Sequence, residues 1–223
     1  MYNGGMNERR SYNQFCALAF ALDAVGERWT LLIIRELLPG PRRFKDLLDG
    51  LPGISTNLLS ERLKSLEEQG MLCRRTLPPP AGSTVYELTA LGQGLEKSIL
   101  ELGRWGVRLM PRSLEGMSLP SVGTASLALK AFCQPEEDSE NRETYELRIG
   151  EEILQIRVVG GEVQVQQGQP WKADVIFRTD MRTWMGLFSG QLKPEEALEA
   201  RTIEVEGDPE GLKRFLKARG VLA

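Results

Sequence analysis

The chain contains no histidine among its 223 residues. That absence removes the Ser-His-Asp and Cys-His arrangements of nucleophilic catalysis and every His-ligated metal site. Cysteine is nearly as scarce. Cys16, Cys73 and Cys133 lie far apart with no C-x-x-C pairing, an odd and sparse set that fits neither a disulfide framework nor a structural zinc site. No apolar run approaches the roughly 18 residues a membrane span needs. The polar start MYNGGMNERR lacks the apolar stretch of a signal peptide. Paired-carboxylate and phosphate-loop motifs are missing as well. The expectation is a cytoplasmic protein with no membrane association, no metal, no cofactor and no enzymatic activity.

What is present suits a folded, soluble chain: 41% hydrophobic and 26% charged residues are enough to build a real core. The net charge of −3 is unevenly spread. Residues 1–110 carry 14 basic and 12 acidic side chains, a net charge of +2, and residues 111–223 carry 14 and 19, a net charge of −5. Local rather than total charge governs phosphate binding, so the acidic total does not exclude a nucleic-acid partner. The segment PRSLEGMSLP at 111–120 has the prolines, glycine and small polar residues of a linker. Apolar residues recur at helical spacing before it and with period two after it. The expected organisation is therefore a domain at 1–110, a linker at 111–120 and a second domain at 121–223.

The first domain reads as mainly helical. Residues 14–38 are a largely apolar helical stretch with a break near Gly26. Pro39, Gly40 and Pro41 end it. A short helix from Arg43 to Leu48, a turn at Leu51-Pro52-Gly53 and a helix opened by Ser55 follow, because a serine hydroxyl at that place accepts from an orphan N–H of the first turn. Gly70 stops that helix. Leu59, Leu63 and Leu66 share its inner face, leaving Thr56, Asn57, Ser60, Glu61 and Lys64 outside. LCRRTL and TVYEL then read as two strands, and 89–110 as a long amphipathic helix with an apolar stripe at Leu95, Ile99, Leu102, Trp105 and Leu109. This order is that of a winged helix-turn-helix. A helix that enters the major groove needs short polar side chains at its exposed start. Ser55, Thr56, Asn57 and Ser60 meet that need, and an asparagine can read adenine through two hydrogen bonds. Arg42, Arg43, Lys45, Arg62, Lys64, Arg74 and Arg75 are the candidate phosphate contacts that position the protein on double-stranded DNA.

From Cys16 to Met110 the sequence resembles the HxlR family of winged helix regulators. The likeness rests on the early cysteine, on Gly26–Thr30 (GERWT), on Gly40–Phe44 (GPRRF) and on Ile54–Leu63 (ISTNLLSERL). It implies a homodimer with recognition helices, here Ser55–Gln69, in successive major grooves and hairpin wings over the flanking DNA. The wing departs from the pattern: Thr76–Ser83 reads TLPPPAGS, without charge. Some members with a cysteine at the place of Cys16 sense oxidants, which makes Cys16 a candidate redox residue. Its neighbours Phe15, Ala17 and Leu18 are apolar, which fits a small packed hydrophobe. Trp29 is an expected core residue.

The second domain reads as α+β with a half-buried antiparallel sheet. Tyr145, Leu147 and Ile149 alternate in one strand and Leu154, Ile156 and Val158 in the next, with helices expected at 122–133, Met181–Phe188 and Pro194–Ala200. Asp208-Pro209 is expected to open a final helix. From Leu127 onward the segments YELRI, GGEVQVQQGQP, ADVIFRTD, WMGLFSG and IEVEGDPEGLKRF resemble the sterol carrier protein type 2 family. The resemblance implies an apolar tunnel for lipids or other hydrophobic molecules, with Met181, Trp184, Met185, Leu187, Phe188, Leu198, Leu212 and Phe215 as its candidate lining. Alternatively, the same residues fill a solid core. The resulting reading is a homodimeric DNA-binding regulator modulated by a hydrophobic small-molecule effector. Its rival is a hydrophobic-ligand binding protein whose winged helix serves protein contacts.

Overall fold

The computed structural model describes residues 11–78, 82–111, 116–133, 143–159, 162–168 and 172–217. The chain divides into two compact units, Met1–Leu95 and Glu96–Ala223.

The first unit opens with α1 (Ala17–Val25) and α2 (Thr30–Leu37), separated at Gly26 as the sequence predicts. The corner between them is tight enough to place Trp29 in the left-handed region, at φ 79°. Helix α3 (Phe44–Gly50) and helix α4 (Thr56–Glu68) follow. The turn joining them uses Gly53 at φ +93°, a conformation that a Cβ would strain. Strands β1 (Leu72–Thr76) and β2 (Thr84–Leu88) form the hairpin in antiparallel register, Leu72 opposite Leu88 and Thr76 opposite Thr84. The wing tip at 79–81 lies outside the described residues. Leu47, Leu51, Ile54, Leu59, Leu63 and Leu66 are all buried, together with Ile33, Ile34 and Leu37 of α2. Leu59, Leu63 and Leu66 among them are the inner face of α4 that the helical spacing indicated.

The single helix expected over 89–110 is broken in the structure. Helix α5 (Ala90–Gln93) is capped by Thr89, whose hydroxyl accepts from Gly92 N at 3.4 Å. Helix α6 (Glu96–Gly106) follows, then a single 3-10 turn at Val107–Leu109. Gly94 at the junction explains the interruption, since glycine favours the chain end over the helix interior. The two units meet in sequence at this break, so α6 groups with the second unit, ahead of the expected linker.

The second unit continues with α7 (Val122–Phe132), β3 (Thr144–Ile149), β4 (Glu152–Val159), β5 (Glu162–Gln167), β6 (Val175–Thr179), α8 (Met181–Ser189), α9 (Pro194–Glu199), β7 (Ile203–Gly207) and α10 (Gly211–Lys217). The five strands lie in the order β5-β4-β3-β6-β7. Three pairs are antiparallel, but the central pair β3–β6 is parallel, with Leu147 opposite Phe177. The sheet is thus mixed, a feature that period-two alternation cannot reveal because it carries no strand direction. The final helix starts two residues later than Pro209. Asp208 instead accepts from Glu210 N at 3.0 Å and organises the turn before α10.

The core of this unit lies against one sheet face. Tyr145, Leu147, Leu154, Ile156, Val175, Phe177 and Ile203 from the strands pack with Leu129, Trp184, Leu187, Phe188, Leu212 and Phe215 from the helices. On the opposite face Glu146 and Gln155 are each only 1% exposed. They are cross-strand partners, and Gln155 Nε2 donates to Glu146 at 2.6 Å while Arg148 donates to the same carboxylate. Burying a carboxylate is tolerable only with such donors.

Candidate nucleic-acid interface

Helix α4 is built to present one polar face. Ser55, in extended backbone conformation, caps it by accepting from Leu58 N at 3.3 Å. Its inner face is fixed by the buried Leu59, Leu63 and Leu66. Thr56, Asn57, Ser60 and Lys64 are therefore turned outward, and all four are exposed. The first turn bears no acidic residue, so the positive end of the helix dipole is uncompensated there.

Helix α3 supplies exposed Arg43 and Lys45. Arg43 is the N-cap of α3, and its backbone N–H donates to Asp46 at 3.0 Å, which leaves the guanidinium outside the cap. Arg42 is half-buried, and its backbone exchanges two hydrogen bonds with Tyr86 of β2, at 3.0 and 2.8 Å. That bridge ties the start of the helix-turn-helix to the base of the wing.

Arg62, Arg74 and Arg75 are engaged within the fold. Arg62 donates from Nε to the Arg28 carbonyl at 3.3 Å, from Nη2 to Glu27 at 3.1 Å and from Nη1 to Glu61 at 3.0 Å. Its side chain is 16% exposed. Arg74 grips Glu67 with two bonds, Nε to Oε1 at 3.0 Å and Nη2 to Oε2 at 2.7 Å. The hydrogen bond from Arg74 holds the Glu67 carboxyl below its ordinary pKa. Arg75 pairs with Glu87 at 2.9 Å across the hairpin. Lys64 lies 3.9 Å from Glu68, at the limit of an ion pair, and its side chain is 78% exposed. Arg43, Lys45 and Lys64 are thus the cations turned outward on α3 and α4. Arg62 and Arg74 also brace the fold, one from α4 to the α1–α2 corner and one from β1 to α4.

Glu27 and Glu67 escaped the sequence reading as partners. The first lies within the GERWT segment and pairs with the arginine of SERL. Trp29 completes this corner. It is half-buried rather than fully in the core, and a Cβ on Gly53 would lie 3.8 Å from its ring. Glu36 was also missed: it is 2% exposed and pairs with Arg35 at 2.6 Å.

Cys16 is exposed, which corrects the reading of it as a packed hydrophobe. It occupies the N-cap position of α1, and its carbonyl accepts from Phe20 N at 3.0 Å. Exposure meets the access requirement of a reactive thiol. Among the described residues, no group of three or more cysteine, aspartate or glutamate side chains has the geometry to hold a metal ion. Nor is any described helix long and apolar enough to cross a membrane.

In the second unit, Trp184, Leu187, Phe188, Leu212 and Phe215 are buried and belong to one core. The rings pack on one another. Trp184 lies 6.2 Å from Phe188, 6.4 Å from Phe177 and 5.7 Å from Phe215 between centroids. Met181 and Met185 are half-buried against this core. Leu198 is 37% exposed and does not join them. Its helix α9 spans six residues and buries only Ala197, so Leu198 is corrected from interior lining to surface.

Comparison with known proteins finds two families along the chain. Residues 24–114 match the HxlR-like helix-turn-helix family, and residues 136–218 match the SCP-2 sterol transfer family. The HTH-type transcriptional regulator YodB of Bacillus subtilis is 39% identical over 85 residues, covering 38% of this chain and 76% of that protein. The HTH-type regulator YvaP of the same organism is 38% identical over 85 residues, covering 38% and 79% respectively. A solved structure of the reduced form of YodB shares 34% sequence identity, covers 45% of this chain and 99% of that one, and gives a TM-score of 0.39. With a helix-turn-helix seated as described and relatives of this extent, the chain belongs to the HxlR-like helix-turn-helix family of transcriptional regulators, fused to a C-terminal SCP-2 sterol transfer domain.

Proposed function

We propose that the chain acts in the cytoplasm as a homodimer that reads a two-fold DNA site with α4 of each subunit. The observation that carries this reading is the outward stripe of Thr56, Asn57 and Ser60, fixed by buried leucines below it and flanked by exposed Arg43, Lys45 and Lys64. Short polar side chains approach base edges, while the cations neutralise phosphates and release counterions. Arg75, half-committed to Glu87, stands at the base of the wing. Dimerisation by a second copy is supported by the apolar side chains that remain in solvent on α6, where Leu102 and Trp105 are 50% and 57% exposed.

The C-terminal unit supplies the response to a hydrophobic small molecule. Support comes from the SCP-2 match over 136–218 and from the half-buried Met181 and Met185, whose flexible side chains adapt to an apolar guest. The stacked aromatics beneath them are core. A ligand regulates DNA binding only by preferring one state of the protein.

The test is selection of DNA from a randomised pool at low salt by the full chain. Recovery of a two-fold motif with steep salt dependence supports the reading, and recovery of no DNA ends it. Mass spectrometry of small molecules released from the natively purified protein, together with titration by a fluorescent fatty-acid analogue, tests the effector.

A further inference from the structure

Helix α6 falls within the stretch that matches the helix-turn-helix family, yet it groups with the second unit. Its sequence, EKSILELGRWG, is a poor helix by itself. Two glycines, Gly103 and Gly106, lie in its last turn, each costing about 1 kcal/mol relative to alanine in a helix interior. A helix of 11 residues is marginal in water even with good composition. None of its residues is fully buried, and only Ile99 and Leu100 among its large apolar side chains are half-buried, so apolar docking compensates only in part.

Polar contacts with α7 hold it. Arg104 donates from Nε to the Ala131 carbonyl at 2.6 Å and from Nη2 to the Lys130 carbonyl at 3.5 Å. Both carbonyls belong to the last turn of α7, where four C=O groups lack an intrahelical partner. The guanidinium therefore caps α7 from a neighbouring helix, with favourable charge at the negative end of the dipole. Glu101 steadies Arg104 from the preceding turn of α6. At the other end of α6, Glu96 pairs with Lys130 of α7 at 2.7 Å, and both side chains are only about a third exposed (37% and 29%). Two clamps one helix length apart fix both the position and the rotation of α6. Helix α7 is in turn rooted in the sheet core through Val122 and Leu129 and through Cys133 at its C-terminal end.

We infer that α6 is a relay: it unfolds and moves as part of the SCP-2 unit, while its chain runs directly into α5 of the DNA-binding unit through Gly94-Leu95. The exposed Leu102 and Trp105 are carried on this helix. Any event that shifts or loosens the C-terminal unit therefore changes how α6 is presented. This rests on the regulator reading above and adds the route by which the second domain acts on the first. Coupling of this kind has a physical warrant when one element belongs to a body that both sites bias.

Hydrogen exchange of the full chain in graded urea tests it. The α6 amides are expected to open at the same urea concentration as those of β3 and β4. Opening of α6 together with α2–α4 overturns the relay. Arg104→Ala is expected to speed exchange in α6 by about tenfold, the loss of charge-assisted bonds to two carbonyls, while α4 stays unchanged. Arg108→Ala, on the exposed 3-10 turn, is the control and leaves α6 unchanged. Unaltered α6 exchange in Arg104→Ala overturns the brace. In DNA titrations Arg104→Ala is expected to shift affinity by about three- to thirtyfold, although it lies outside the proposed DNA-contact set. Faster α6 exchange with unaltered DNA affinity overturns the relay. Wild-type protein that binds no DNA overturns the regulator reading and the relay with it, and the exchange data then still report whether α6 belongs to the second unit.

Discussion

Arg62 of the recognition helix donates to Glu27 of the α1–α2 corner at 3.1 Å and, through its Nε, to the neighbouring Arg28 carbonyl at 3.3 Å. The recognition helix is thereby anchored from its own middle turn, 34 or 35 residues away in sequence. An arginine held in this way orients the exposed face of α4.

The two roles separate experimentally. As a phosphate contact, Arg62→Ala lowers the slope of log K against log salt by about one unit. As a brace, it leaves that slope unchanged, lowers stability and weakens DNA binding. The brace is expected. A double-mutant cycle with Glu27→Ala is expected to show coupling of about 0.5–1 kcal/mol, small because Glu27 is 60% exposed. Zero coupling with a reduced salt slope refutes it.

Asn57 and Arg43 are expected to behave differently from Arg62 and from each other. Asn57→Ala removes a base-edge contact, costs about 1–3 kcal/mol on the selected site and relaxes preference at one position. Arg43→Ala weakens selected and random DNA alike, since a phosphate contact carries no sequence information. Quantitative gel shifts on both DNAs, at two salt concentrations, check the pair.

The helices of the first unit, its hairpin and its buried leucines were legible because periodicity reports which face meets the core. Four features were not. Charge pairing across the fold, such as Glu67 with Arg74, depends on which surfaces meet and leaves no local signal, so basic residues all looked alike. The parallel β3–β6 pair was hidden because alternation is the same in either direction. The break at Gly94 was masked by the apolar stripe that begins immediately after it, at Leu95. The aromatic residues of α8 and α10 were recognised as interior, but sequence could not say whether they enclosed space or one another. The 4.9 Å between the Tyr145 and Phe215 rings shows contact.

The Glu67–Arg74 pair makes the attachment of the wing sensitive to acid. The Glu67 carboxyl is lowered in the folded protein, chiefly by its hydrogen bond from Arg74, from an ordinary value of 4.5. A depressed carboxylate stabilises the folded state fully above its unfolded value, and that contribution fades as the pH falls through the folded one. Acid titration followed by NMR of the β1 amides is expected to show loosening below pH 4.5. In Glu67→Gln that step disappears. A titration of the β1 amides identical in both proteins refutes the assignment.

Trp184 is 1% exposed and lies within 6.4 Å, centroid to centroid, of three aromatic rings. Trp184→Ala is expected to cost about 3–5 kcal/mol of stability, the price of deleting a large core side chain and leaving a cavity. Calorimetry of the full chain checks this. Met185→Ala, at the half-buried edge, is expected to cost less and to change uptake of the fatty-acid analogue more. A Trp184→Ala protein of wild-type stability that has lost probe binding reverses the assignment, making Trp184 lining rather than core.

Leu102 and Trp105 lie three residues apart on α6, hence on one face, and are 50% and 57% exposed. Single exposed apolar side chains are ordinary on a protein surface, but a tryptophan and a leucine together on one short helix make a patch that a second copy is expected to cover. Because neither is buried within the chain, replacing them costs the monomer little, within about 0.5 kcal/mol. In a dimer each sits at a desolvated interface, and a carboxylate placed there is strongly unfavourable. Trp105→Glu and Leu102→Glu are therefore expected to leave the melting behaviour of dilute protein nearly unchanged while shifting light scattering from dimer to monomer. DNA affinity is expected to fall in parallel, since two half-sites about 34 Å apart require both recognition helices. Monomeric wild type that binds the selected site as tightly as before dilution refutes the interface. So does a Trp105→Glu, Leu102→Glu double variant that remains dimeric.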